Sequence, residues 1–260
     1  MRIRLAVAVL LLLPLRAGAV PDPLRGPDRF PQFRHLSGLA GAGYGTDEQG
    51  YPSLSGPTAF STPTAYVLGH AHLRIAGART SFDGLPRLGG ARANGTWYAT
   101  YGHSFGRVNV AISDMVLSSA SDQVYNWQIG YVPEPETPVA FSIGMQDWAG
   151  TGGSAGQDVP GDNRSSQSVF GAATLRVPIG GSPLYVSGGV GSRRFHHGFA
   201  SVSCQVAPPV RVWAEHDGFG FNTGALYSLR VGGGRRSAEL NVLAGVVKMR
   251  FFTLAAGIGF

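Results

Sequence analysis

The sequence predicts an all-β protein, an antiparallel transmembrane β-barrel of about 12 strands behind an N-terminal extended arm. Three observations carry this. The last nine residues alternate Phe252, Leu254, Ala256, Ile258 and Phe260 with Thr253, Ala255, Gly257 and Gly259, the two-residue period of a strand with one face in hydrocarbon and one in a lumen. Only 14% of the chain is charged, against roughly 25% in ordinary soluble domains. Beyond residue 19 no apolar run approaches the roughly 20 residues a membrane helix needs, so the apolar residues must serve strands. A closed sheet then follows, because hydrocarbon offers no partner to an unpaired backbone group.

At the N-terminus, Arg2 and Arg4 precede an apolar stretch from Leu5 to Leu15 and the small residues Ala17-Gly18-Ala19. Residues 1–19 read as a secretory signal peptide. Residues 20–60 are rich in Pro, Gly and Arg with little periodicity, and read as an extended arm, periplasmic or lumenal. Residues 61–260 read as the barrel.

The strands are expected at 64–79, 95–103, 107–113, 125–131, 138–148, 168–177, 184–193, 198–206, 210–216, 221–230, 237–246 and 251–260. In 138–148, for example, Val139, Phe141, Ile143 and Met145 alternate with Ala140, Ser142, Gly144 and Gln146. An even count lets both termini finish on the periplasmic side. Residues 150–167, hydrophilic throughout, suit an extracellular loop. Trp97, Tyr98, Tyr101, Tyr125, Trp127, Tyr131, Trp148, Trp213 and Tyr227 lie toward strand ends, where amphipathic rings form girdles at headgroup level. Asp114 and Asp147 read as hydrated groups of the rim.

The formal charge is +6, of which Arg2, Arg4 and Arg16 of the signal carry three, leaving +3. That balance, with no basic run interleaved with aromatics, argues against nucleic-acid binding. The single Cys204 has no intramolecular partner and reads as a buried small hydrophobe. His196 and His197 are adjacent and read as polar residues at a hairpin tip, not a metal site. His103 and Ser104 fall on opposite faces of a strand, and no Gly-x-Ser-x-Gly elbow occurs, so catalysis is not expected and no cofactor or metal is called for.

Alternation assigns Arg107, Asn109, Gln146, Arg176, Arg211, Glu215, Glu239 and Asn241 to the lumen, with Asp217 on the face of Glu215. These polar residues are the candidates for a ligand path, because charge inside a barrel needs a partner or water. A bore of about twelve strands suits a narrow path or a plugged interior better than a wide channel.

Two segments resemble YjbH-type exopolysaccharide-associated outer-membrane proteins. The first is Leu54-Ser55-Gly56-Pro57-Thr58-Ala59-Phe60-Ser61-Thr62-Pro63-Thr64-Ala65-Tyr66-Val67-Leu68, leading into His72-Leu73-Arg74-Ile75-Ala76-Gly77. The second is Val212-Trp213-Ala214-Glu215-His216-Asp217-Gly218-Phe219-Gly220-Phe221-Asn222-Thr223-Gly224, similar to that family's late hairpin. The terminal Phe260 resembles the assembly signal read by the barrel-assembly machinery. The resemblance implies an outer-membrane location among outer-membrane lipids, and help with export, assembly or tethering of an exopolysaccharide or a small polar solute, with polysaccharide or envelope proteins as partners. The alternative is a surface protein with a plugged barrel and no transport.

Overall fold

The computed structural model describes residues 45–53, 55–80, 95–117, 122–134, 137–150, 167–218, 220–232, 237–247, 249 and 251–260. Twelve strands follow one another: β1 (His72–Thr80), β2 (Gly95–Phe105), β3 (Val108–Leu117), β4 (Asp122–Tyr131), β5 (Val139–Gln146), β6 (Ser168–Ile179), β7 (Ser182–Gly191), β8 (Phe199–Ala207), β9 (Val210–His216), β10 (Phe221–Val231), β11 (Ala238–Val247) and β12 (Phe251–Gly259). Each pairs antiparallel with its sequence neighbours, and β1 pairs with β12 to close the barrel. The closing seam is completed by Leu73 and Phe260, which exchange two backbone hydrogen bonds of 2.8 and 2.9 Å.

One end carries the two-residue turns at 106–107, 180–181 and 208–209, together with the start of β1 and the end of β12. We call it the short-turn end. The opposite, long-loop end includes the connection 147–167; the expected loop 150–167 falls almost wholly outside the described residues, as do the signal peptide and residues 20–44.

The predicted period of two is the organising fact of the wall. On β5, Phe141 and Ile143 are 51% and 57% exposed on the outside, while Ala140, Ser142 and Gln146 are buried inside. On β12, Phe252 and Leu254 face out, and Thr253 and Ala255 face the lumen. Trp97, Tyr101, Tyr131, Trp148 and Tyr227 are exposed on the outer surface as girdle residues should be. Tyr98 and Trp213 are not among them: both are buried in the lumen, where alternation places them. Asp147 is fully buried, so hydration does not account for it, and Asp114 lies on the outward parity of β3. Cys204 is half-buried on the outward parity of β8, not in a core.

The largest departure concerns 64–79. Only His72 onward joins the sheet, and residues 64–69 belong to a buried segment that enters the lumen. The chain leaves the lumen through His70 (φ 53°) and Ala71 (φ 61°), two consecutive left-handed residues that turn it into β1.

Candidate functional site

Residues 56–69 are all buried, within a barrel whose wall they do not join. Pro57 and Pro63 lack the N–H that a ladder needs. The segment is held instead by side chains of the wall. Thr58 N–H donates to Ser203 Oγ of β8 at 2.9 Å, Ala65 N–H to Thr174 Oγ1 of β6 at 2.8 Å, and Gln128 Nε2 of β4 donates to Thr64 O at 2.6 Å. Glycines make room for it: a Cβ on Gly102 would lie 2.1 Å from Leu68 O, and one on Gly130 2.6 Å from Val67 Cγ2.

The strongest attachment is Glu215 on β9. Its carboxylate accepts from Phe60 N–H (2.9 Å), Ser61 N–H (2.9 Å), Ser61 Oγ (2.7 Å), Thr62 Oγ1 (3.0 Å) and Asn222 Nδ2 (2.8 Å). Five donors on one buried carboxylate offset the desolvation that an isolated charge would suffer. Asp217, also buried, joins through Asn222 Nδ2 at 3.3 Å and Ser61 Oγ at 3.4 Å. Arg194, in the 3-10 turn Arg193–Phe195 at the long-loop rim, lies 3.7 Å from the Asp217 carboxylate and donates to Asp217 O. Burial pulls its guanidinium below its ordinary pKa, and the charges of Asp217 and Glu215 push it back up.

Apolar contacts complete the plug. Phe60 stacks on Trp213 at 6.0 Å and 14° between rings, within a lumenal cluster that includes Tyr98, Met115, Val124, Leu226 and Leu243. Ala65 and Tyr66 pack with Ala140 and Tyr185, and Val67 and Leu68 with Ala111. Burying Phe60, Tyr66, Val67 and Leu68 contributes on the order of 6–12 kcal/mol at about 1.5–3 kcal/mol each.

Residues 45–53 are a different matter. They form a bar across the short-turn mouth, closed on itself by a bridge between Thr46 and Pro52. Glu48 pairs with Arg176 of β6, and Arg74 of β1 donates to Gly45 O at 2.8 Å. Tyr51 stacks on His70 at 4.3 Å. Cavities flank the bar: one of about 1030 Å³ bordered by Asp47, Tyr51, His72, Arg230 and Glu239, and one of about 350 Å³ bordered by Glu48, Arg107 and Asn109. Gly69 N–H of the plug donates to Gly50 O at 2.8 Å, but the bar buries no large apolar side chain and its partly exposed ion pair contributes about 0–1 kcal/mol, so it is held less firmly than the plug.

The structure distributes the sequence-predicted lumen residues among these parts. Glu215 and Asp217 are buried in the long-loop half, whereas Arg211, next to the 208–209 turn, is buried toward the short-turn end with its guanidinium 5.4 Å over the Tyr185 ring. Arg176 holds the bar. Asn109 accepts from Ser104 Oγ at 2.6 Å, and Glu239 from Ser228 Oγ; Gln146 and Asn241 are buried on the inward parity of their strands. Arg107 is a correction. It sits in the turn that Gly106 makes with φ 64°, where alternation no longer applies, and it is exposed, pairing with Glu134 at 3.9 Å. Ser61, Thr62 and Arg194 escaped the alternation argument because they lie off the strands, and Gln128, Asn222 and Thr174, though on strands, were not singled out; Ser61, Thr62 and Asn222 were nonetheless within the two resembling segments. Among the described residues no cluster of three or more His, Cys, Asp or Glu could hold a metal ion.

The sequence matches no family model and no curated protein. The architecture does have solved counterparts. The KdgM porin, in complex with disordered oligogalacturonate, is similar over 73% of this chain and 98% of its own, at 8% identity and a TM-score of 0.50. The fold is that of a bacterial outer-membrane β-barrel. The outer membrane protein Omp33 of Acinetobacter baumannii is matched over 73% of this chain and 96% of its own, at 12% identity and a TM-score of 0.43.

Proposed function

We propose that this outer-membrane barrel is closed by its own N-terminal segment and works through its two ends, not as an open diffusion channel. The observation that carries the reading is the unbroken burial of residues 56–69 together with the clamp of Glu215 on Phe60, Ser61 and Thr62. The short-turn end faces the periplasm in this reading, as short turns do in bacterial barrels, and Phe260 on that side serves the assembly machinery.

A role in assembling or tethering an exopolysaccharide at the cell envelope fits this closed form better than export through the bore. What supports it is the resemblance to YjbH-type proteins: the two resembling segments, far apart in sequence, touch at Ser61 and Glu215. Passage of a small polar solute is the second reading, favoured by the cavities beside Glu48 and Asp47 at the short-turn mouth.

Planar-bilayer recording separates them. The purified full-length barrel is expected to be silent, and a variant lacking residues 45–69 to show steady openings. Steady openings of the full-length protein would overturn the closed reading.

A further inference from the structure

The carboxylate of Glu48 is in the wrong company for a structural ion pair. It comes from the loosely held bar, yet it reaches a pocket of wall and plug residues: the guanidinium of Arg176 on β6 and the hydroxyl of Tyr185 on β7, 3.5 Å away. The Arg211 guanidinium lies over the same Tyr185 ring, 5.4 Å from its centroid. The hydroxyl of Tyr66, on the fixed plug and 1% exposed, stands edge-on to Tyr185, within electrostatic reach of Glu48 and Arg176, and is hydrogen-bonded to nothing. A buried hydroxyl with no partner is costly unless something else uses it. The pocket thus offers a forked cation and two hydroxyl donors, of which one carboxylate oxygen engages only part.

We propose that the pocket formed by Arg176, Tyr185 and Tyr66 is a binding site for an anionic group, carboxylate or phosphate, entering from the short-turn mouth, and that Glu48 is its built-in occupant. The planar guanidinium matches either anion through two parallel N–H bonds. The bar is the element that moves. Its ion pair is partly solvated, with side chains 29% and 22% exposed, and a cavity lies on each side of it, whereas the plug beneath is fully buried. An external anion that displaces Glu48 gains the Tyr66 hydroxyl as well, and the bar swings aside while the clamp on Glu215 stays shut. The inference rests on the closed-lumen reading only in that Tyr66 must remain in place as the pocket floor.

Calorimetric titration of the full-length barrel in detergent with citrate and with inorganic tripolyphosphate tests it. Glu48→Gln keeps the shape of the occupant and removes its charge, so it should bind at least one of the two about ten-fold more tightly than the unaltered protein, since a partly exposed competitor is worth about that factor. A gain with citrate alone assigns the site to carboxylates, and one with tripolyphosphate alone to phosphates. Arg176→Gln should abolish binding in either background, and Tyr66→Phe should weaken it. Folding of each variant is checked by its altered mobility when unheated. Independently, Ser53→Cys, at a position buried in the closed bar, in a Cys204→Ser background should react faster with a maleimide when the ligand is added.

An affinity unchanged by Glu48→Gln, a gain that survives Arg176→Gln, or a labelling rate indifferent to ligand would overturn the proposal. Failure of the closed-lumen reading is distinct: a full-length barrel that conducts, yet still shows the Glu48→Gln gain, loses that reading and keeps the site.

Discussion

Ser61 donates both its backbone N–H and its hydroxyl to Glu215 Oε1, at 2.9 and 2.7 Å, across 154 residues of chain. This pair joins the lumenal segment to β9 and packs it against the wall of the barrel.

Replacing Glu215 is therefore expected to destabilise the whole barrel. Glu215→Ala leaves five donors without their acceptor and should lower unfolding stability by on the order of 3 kcal/mol. Glu215→Gln, which retains one carbonyl acceptor, should cost less than half of that. Urea unfolding in liposomes, read by unheated electrophoretic mobility, measures both.

The wall glycines that admit the plug offer a steric version of the same test. Gly130→Ala places a methyl 2.6 Å from Val67 Cγ2 and 2.9 Å from Ala65 O, and should cost about 1–3 kcal/mol by overpacking. Gly171→Ala is the control: its new methyl meets only Ser142 O, at 4.0 Å, and stability should be nearly unchanged in the same assay.

On the outer surface, the exposed Ile143 sits midway along the described band of β5. Ile143→Arg should cost about 2–4 kcal/mol by placing a charge in the hydrocarbon, whereas Phe141→Leu should cost under about 1.5 kcal/mol. Equal tolerance of both in lipid would show that this face does not meet the bilayer interior.

The bar should respond to pH through Asp47. Burial raises its carboxyl above the usual 3.8, against the N–H bonds from Tyr51 and Gln49 that lower it. The folded bar therefore binds the proton more tightly than the unfolded chain does. Its stabilisation is complete below 3.8 and is lost as pH rises through the raised value. Labelling of Ser53→Cys, buried in the bar, again with Cys204→Ser and taken relative to a free cysteine at each pH, should accelerate across that window, and Asp47→Asn, which still accepts from both N–H groups, should flatten the response.

Much of the wall was legible from the chain alone. A strand has only two faces, so a run such as Val139, Phe141 and Ile143 between Ala140, Ser142 and Gly144 declares which side meets lipid, and twelve such runs declare the barrel. The inward positions of Asn109, Arg176, Arg211, Glu215 and Glu239 followed from the same parity. Where a turn interrupts the parity, as at Gly106, the argument failed, and Arg107 was assigned to the lumen when it belongs to the rim.

The path of residues 45–71 was decided only by the tertiary structure. This stretch has no period, because it makes no repeating ladder; its partners are single side chains contributed by β4, β6, β8 and β9. Nothing local marks Phe60 as the ring that covers Trp213, or Ser61 as the donor to Glu215. Lateral contacts between strands are set by periodic alternation, which a linear sequence displays. Contacts between a wall and an aperiodic thread inside it depend on closure, which brings together groups more than a hundred residues apart.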